Sequence, residues 1–197
     1  MKCVLIKAIM LTATLVVFGS LVNGQTRRTG SVGVSRSASA RSMNKGTLSL
    51  EAGLVYRSGD VKPVARARFF LVNQNPGIIL QRGGLYTPSV GGIGGGSTDP
   101  SKLALAVGMA LAYMDLELPE QQRFLLSALE TLTPHIVESL QTDFSGKAEF
   151  SPHSTGSYYL MGVTKTPRGL SFWNVRIELR PGSNQIMLDQ DNAATAF

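Results

Sequence analysis

Two stretches of strand-like alternation flank a middle that reads as helix, and this broken pattern limits the folds open to the chain. In the first stretch, Leu48, Leu50, Ala52 and Leu54 alternate with Thr47, Ser49, Glu51 and Gly53. A period of two puts the apolar set on one face of a strand and the polar set on the other. Arg57-Ser58-Gly59-Asp60 then supplies turn chemistry. From Val61 to Val72 the alternation resumes, with Val61, Pro63, Ala65, Ala67, Phe69 and Leu71 on one parity and Lys62, Arg66 and Arg68 on the other. Pro63 cannot donate to a ladder, so this end is expected at a sheet edge. Arg66 and Arg68 are expected on a charged solvent face that discourages edge pairing. The second stretch, Thr142–Leu188, has a turn at Asp143–Gly146 and then Phe144, Ala148 and Phe150 as inward candidates. Trp173, Val175, Ile177 and Leu179 alternate in a later strand, and Pro181-Gly182 makes another turn.

The middle follows a different period. Asn73–Ser97 is rich in Gly, Pro and Asn and reads as a hinge. Its run Gly91–Gly96 is not followed by Lys-Ser or Lys-Thr, which separates it from phosphate-binding loops. Asp99-Pro100 is the signature of an N-cap with proline at the first helical position. Leu103, Val107, Ala110, Leu111 and Met114 follow at helical spacing. A second helix is expected from Pro119 through Leu140, kinked or split after Leu132 by Pro134. The two are expected to pair as a helical hairpin. Leu103, Val107, Leu111 and Met114 are the candidate partner contacts on its apolar face, through which a homo-oligomer is also open, with simple core packing as the competing expectation.

The N-terminus is ordered as a secretory signal: Lys2 and Lys7, the apolar run Ala8–Phe18, then Val22 and Gly24 before Gln25. The run is shorter than the roughly 20 residues of a spanning helix. Cleavage after residue 24 and a secreted or periplasmic location are therefore expected. Cys3 is the one cysteine of the chain and lies inside this signal, so neither a disulfide nor a lipid-bearing cysteine follows it. Removing residues 1–24 lowers the formal charge of +6 by two, and the remaining excess is local. Residues 25–45 hold Arg27, Arg28, Arg36, Arg41 and Lys45 with no acid. This segment has too little apolar content to offset the entropy of ordering it. It is expected as a flexible tail whose Arg27, Arg28, Arg36 and Arg41 are candidate contacts to an anionic surface, with no specific nucleic-acid target. The expected domain runs over 46–188 with the insert at about 98–141, and 189–197 is expected to fray.

The residues Lys62-Pro63-Val64, Ala67, Thr142-Asp143, Gly146, Phe150, Gly156, Tyr158 and Leu160 fill positions that resemble the pattern of carboxypeptidase regulatory-like, transthyretin-like domains. The resemblance covers about half of the chain after residue 24 and rests on turn and core positions. It implies a mainly β fold, a small antiparallel β-sandwich of the prealbumin-like kind, here interrupted by a two-helix insert. It also implies a binding or structural module that needs no cofactor. Hydroxyisourate hydrolases of the transthyretin family end in Tyr-Arg-Gly-Ser, whereas this chain ends in Ala-Thr-Ala-Phe. Iron enzymes on a related sandwich use two Tyr and two His. Here Tyr158 and Tyr159 are adjacent and point to opposite strand faces, and His135 and His153 lack ligand spacing.

These readings converge on an exported, non-enzymatic binding or assembly module that contacts protein or glycan at the cell envelope. The alternative is a hydrolase or metal-dependent enzyme using His153 and Asp143, with Ser151 or Ser154 beside them. That alternative requires a carboxylate within hydrogen-bond reach of His153. No nucleophile elbow accompanies these residues. Asp143 has a competing role as a turn former.

Overall fold

The first alternating stretch forms β1 (Lys45–Val55), and Leu48, Leu50, Ala52 and Leu54 are all buried on one face of it. The structure is a computed structural model that describes residues 44–55, 59–88, 95–113, 119–166 and 169–196. Residues 1–24, expected as a signal, and Arg27, Arg28, Arg36, Arg41 and Met114 lie outside the described residues. β2 (Val61–Pro63) pairs antiparallel with the end of β1, which puts Pro63 on a short edge strand as expected.

The strand expected over 61–72 is two strands in two sheets. After Pro63 the chain turns through Val64–Ala67, with Arg66 at φ 57°, and resumes as β3 (Arg68–Val72) in the second sheet. The inward parity slips at the break: Val61, Pro63 and Ala65, expected on the apolar side, are exposed, whereas Val64 is buried with Ala67, Phe69 and Leu71 in the inter-sheet core. The turn at Val64–Ala67, with Arg66 at positive φ, resets which parity faces the core.

The first sheet holds β1, β2, β5 (Lys147–Ser154) and β8 (Gly182–Leu188), and β8 runs parallel to β1. The second has the order β4 (Ile136–Gln141), β3, β6 (Gly156–Thr166), β7 (Gly169–Leu179), β9 (Thr195–Ala196), with every pairing antiparallel. The sheets face each other across Leu50, Phe69, Phe150, Leu160, Trp173 and Leu188. Phe69 and Trp173 meet at 5.8 Å between ring centroids. The protein is thus a mainly β sandwich with a helical insert.

The second sheet is covered on both faces. Leu71 and Trp173 point into the sandwich, while Val72, Met161 and Phe172 point out and are buried under helices. Burial on both faces explains why Phe69-Phe70-Leu71-Val72 and Tyr158–Val163 read as near-continuous apolar runs. Tyr158 and Tyr159 do fall on opposite faces, one beside each core.

Among the described residues, three helices lie between β3 and β4, one more than the spacing suggests. The additional one, α1 (Pro76–Arg82), sits in the segment expected to be a hinge. Asn75 Oδ1 accepts from the backbone N–H of Gly77 at 2.9 Å and of Ile78 at 3.3 Å, with Pro76 at the first helical position. Asn-Pro-Gly is a turn signal in isolation, and seven residues are too few to display a helical period. α2 (Pro100–Ala112) starts as expected, with Asp99 Oδ1 accepting from the N–H of Ser101 and of Lys102. α3 (Pro119–Leu132) ends where Pro134 forces a break, in a 3₁₀ turn at Thr133–His135. Beyond it the expected helix is the strand β4, with Phe69 opposite Leu140 and Leu71 opposite Glu138. Two further expectations are corrected. Phe144 is 72 % exposed at the tip of the β4–β5 turn, its ring 4.4 Å from the Arg66 guanidinium carbon. The C-terminal segment is held rather than frayed: β9 pairs with β7, and Trp173 Nε1 donates to the Asp189 carbonyl at 2.8 Å.

Candidate functional site

Leu103 and Val107, two of the expected partner contacts, are 0 % exposed beneath the second sheet, and Leu111 is half-buried. The helix turns this face to its own core because Phe172 fits against Gly108, where an added Cβ would lie 2.3 Å from the ring. Leu103 and Val107 therefore offer nothing to a partner, which corrects that expectation.

The pairing of His153 with Asp143 is also corrected. Asp143 Oδ1 accepts from the N–H of Ser145 at 2.8 Å and of Lys147 at 2.9 Å, and from the Ser145 hydroxyl at 2.8 Å. These bonds, the Lys147 N–H first, hold its carboxyl below the ordinary carboxylate value. Asp143 is a turn former. The carboxylate that reaches His153 is Glu138 on β4, at 2.7 Å from Nε2. Glu138 also accepts from the Ser151 N–H and hydroxyl, each at 3.0 Å. The hydroxyl is thus directed at the carboxylate and away from the imidazole, the reverse of the order in which a histidine takes the proton of a serine nucleophile. β4 is an edge of the second sheet and β5 belongs to the first, so Glu138, Ser151 and His153 join the two sheets along one side of the sandwich. Among the described residues, no group of three or more His, Cys, Asp or Glu is gathered to hold a metal ion. No described helix is long and apolar enough to cross a membrane.

A groove of about 610 Å³ lies between the segment Gly83–Pro88 and α3. Its position follows from local chemistry. α1 ends in Gly83 and Gly84, the latter at φ 74°, a conformation favouring glycine. Leu85 N–H returns to the Leu80 carbonyl at 3.1 Å. Gly83 lies so near α3 that an added Cβ would be 2.8 Å from Thr131 Cγ2. The far end is clamped at Thr87: its N–H donates to the Ser97 carbonyl at 2.9 Å, its carbonyl accepts from Gly96 at 2.8 Å, and its hydroxyl accepts from Ser97 N–H at 3.1 Å. Tyr86 is held between these two anchors and is 65 % exposed. α3 supplies buried Phe124 and, on its solvent side, Glu120, Arg123 and Ser127. Glu120 and Arg123 are three apart and so share a helix face. Among the described residues neither enters an ion pair.

The sequence pattern did not single out Tyr86, Glu120 or Arg123. The available signal was an aromatic residue in a Gly- and Pro-rich segment, outside both apolar periodicities.

No protein-family profile and no curated protein matches the chain. Its similarity to solved structures is at a low level. One is a "putative carbohydrate binding protein" from Pseudomonas aeruginosa, at a TM-score of 0.39 and 10 % identity over 75 % of this chain and 90 % of that one. Another is a minor pilin of Streptococcus agalactiae, at a TM-score of 0.35 and 17 % identity over 75 % of this chain and 44 % of that one. A third is the pilus backbone protein of Streptococcus pneumoniae, at a TM-score of 0.28 and 14 % identity over 72 % of this chain and 40 % of that one. The chain spans less than half the length of either pilus protein. At these scores the reading of the groove rests on its own residues.

Proposed function

We propose that this protein is an exported, non-enzymatic binding module that contacts protein or glycan at the cell envelope through the groove between Gly83–Pro88 and α3. The observation that carries the reading is Tyr86, an aromatic side chain 65 % exposed and fixed at both flanks, facing a groove of about 610 Å³. That volume is within the roughly 300–1,000 Å³ of ligand sites. Rigid aromatics that stay exposed on an otherwise well-packed fold are characteristic contact residues. The kinship with carboxypeptidase regulatory-like domains belongs to this reading. Its motif residues Pro63, Val64, Ala67, Thr142 and Gly146, far apart in sequence, gather at one end of the sandwich. Export rests on the signal-like order of residues 1–24, and the basic segment 25–45 is proposed as a tether to anionic surfaces.

The test is retention of the full chain on isolated envelopes of the producing cells. Tyr86→Ala is expected to reduce retention, while Met187→Ala, at an exposed position on β8, leaves it unchanged. Equal retention of wild type and Tyr86→Ala overturns the groove as the contact site.

A further inference from the structure

We infer that the groove takes a neutral saccharide, with the C–H face of a pyranose on the Tyr86 ring and vicinal hydroxyls shared between Glu120 and Arg123; this rests on the binding-module reading above. A sugar ring presents two kinds of surface: an apolar face of C–H groups and a rim of hydroxyls that both donate and accept. The groove offers a match for each. Tyr86 is a rigid, exposed ring whose two side-chain torsions make it inexpensive to order. Glu120 is acceptor-only when ionised, and Arg123 is donor-only. Three residues apart on α3, they sit about 5–6 Å from each other at Cβ. A pair of adjacent hydroxyls can donate to the carboxylate and accept from the guanidinium at the same time.

Opposite charges on the two groups also select the ligand. A polyanion gains from Arg123 and loses to Glu120, and a polycation does the reverse. A neutral polyhydroxyl ligand uses both. Thr87 and Ser127 add hydroxyls to the same lining, while Phe124 closes the floor with apolar surface. An apolar ligand fits poorly, because the lining presents charge and hydroxyl groups that would lose water without a partner. The groove opens along the surface rather than enclosing a cavity, which suits a chain of sugars passing across it.

The experiment is calorimetric titration of the full chain with four probes: cellohexaose, hexa-N-acetylchitohexaose, hexagalacturonate and a polyglutamate peptide. At least one neutral hexasaccharide is expected to bind. Tyr86→Ala is expected to weaken that binding by about tenfold, which corresponds to about 1.4 kcal/mol. Tyr86→Phe keeps it, because the ring face is what matters. Glu120→Gln and Arg123→Met each weaken it severalfold, and unchanged denaturation midpoints exclude misfolding as the cause. Binding of a neutral hexasaccharide that is indifferent to Tyr86→Ala overturns the inference. So does failure of both neutral probes. Should the peptide or hexagalacturonate alone bind, with loss in Tyr86→Ala, the neutral-saccharide assignment falls while the groove stands as a contact site. Should no probe bind while envelope retention still depends on Tyr86, the outcome is the same.

Discussion

Thr142 Oγ1 donates to the Val64 carbonyl at 2.6 Å, joining residues 78 positions apart. The same oxygen accepts from the Ala67 N–H at 3.0 Å, and the Thr142 backbone bonds Arg66 N–H and the Ala67 carbonyl. Thr142 is 2 % exposed, one of the few polar residues buried in this fold. It stands where both sheets change over: β2 ends on one side, β3 starts on the other, and β4 hands the chain to β5. With no disulfide open to the chain after Cys3, this bonded corner is what fixes the handover between sheets.

Thr142→Val keeps the shape and removes the hydroxyl, leaving a buried N–H and a buried carbonyl unpaired. The expected loss is about 1–3 kcal/mol. Thr142→Ser restores most of it. Urea unfolding checks this through a lower midpoint at an unchanged slope.

Glu138 gathers three donors from the opposite sheet and is 20 % exposed. Glu138→Ala is expected to destabilise by about 1–3 kcal/mol, because Ser151 and His153 lose their acceptor together. His153→Ala removes one bond and costs less. The double variant is expected to lose less than the two single losses combined, since both remove the same contact. Unfolding of the four proteins of that cycle measures the coupling, and full additivity would show that the bond contributes nothing.

Gly108→Val places a side chain where Phe172 now lies, with the first added carbon 2.3 Å from the ring. Valine is a better helix former than glycine by a fraction of about 1 kcal/mol. Phe172 is 1 % exposed, packed in the core beneath the helices. Overpacking costs of about 1–3 kcal/mol outweigh the propensity gain. A net fall in thermal midpoint is expected, and a rise would mean that α2 does not seat on the sheet as described.

Asp143 has a lowered pKa because the N–H groups and hydroxyl of its turn favour the carboxylate. A group lowered in the folded state stabilises above its unfolded pKa, about 3.9. That contribution is lost as pH falls through the lower folded value. Asp143→Asn preserves an oxygen acceptor at the turn and removes the titration. Below about pH 4 the wild type is therefore expected to lose stability with a steeper slope than Asp143→Asn. Parallel pH profiles would show that the turn does not depend on the charge.

What the sequence determined by itself is local. The period of two in β1, the Asp99-Pro100 cap of α2, the break at Pro134 and the Asp143 turn each depend on a few adjacent residues and a single rule of backbone chemistry. All are present in the fold. The return of β5 and β6 to the sheets opened by β1 and β3 followed from the same patterns. Tertiary structure decided the rest. Ile136–Gln141 has an apolar spacing compatible with helix, and pairing with β3 makes it a strand. The face of α2 carrying Leu103 and Val107 is apolar whether it meets a partner or its own core, and the fit of Phe172 on Gly108 selects the core. Glu138 reached His153 ahead of Asp143 because edge strands of different sheets lie side by side, a proximity that chain separation does not encode. Tyr86, Glu120 and Arg123 became a groove for the same reason. Their meeting depends on how α1 ends and where α3 packs, and those are outcomes of burying two cores at once.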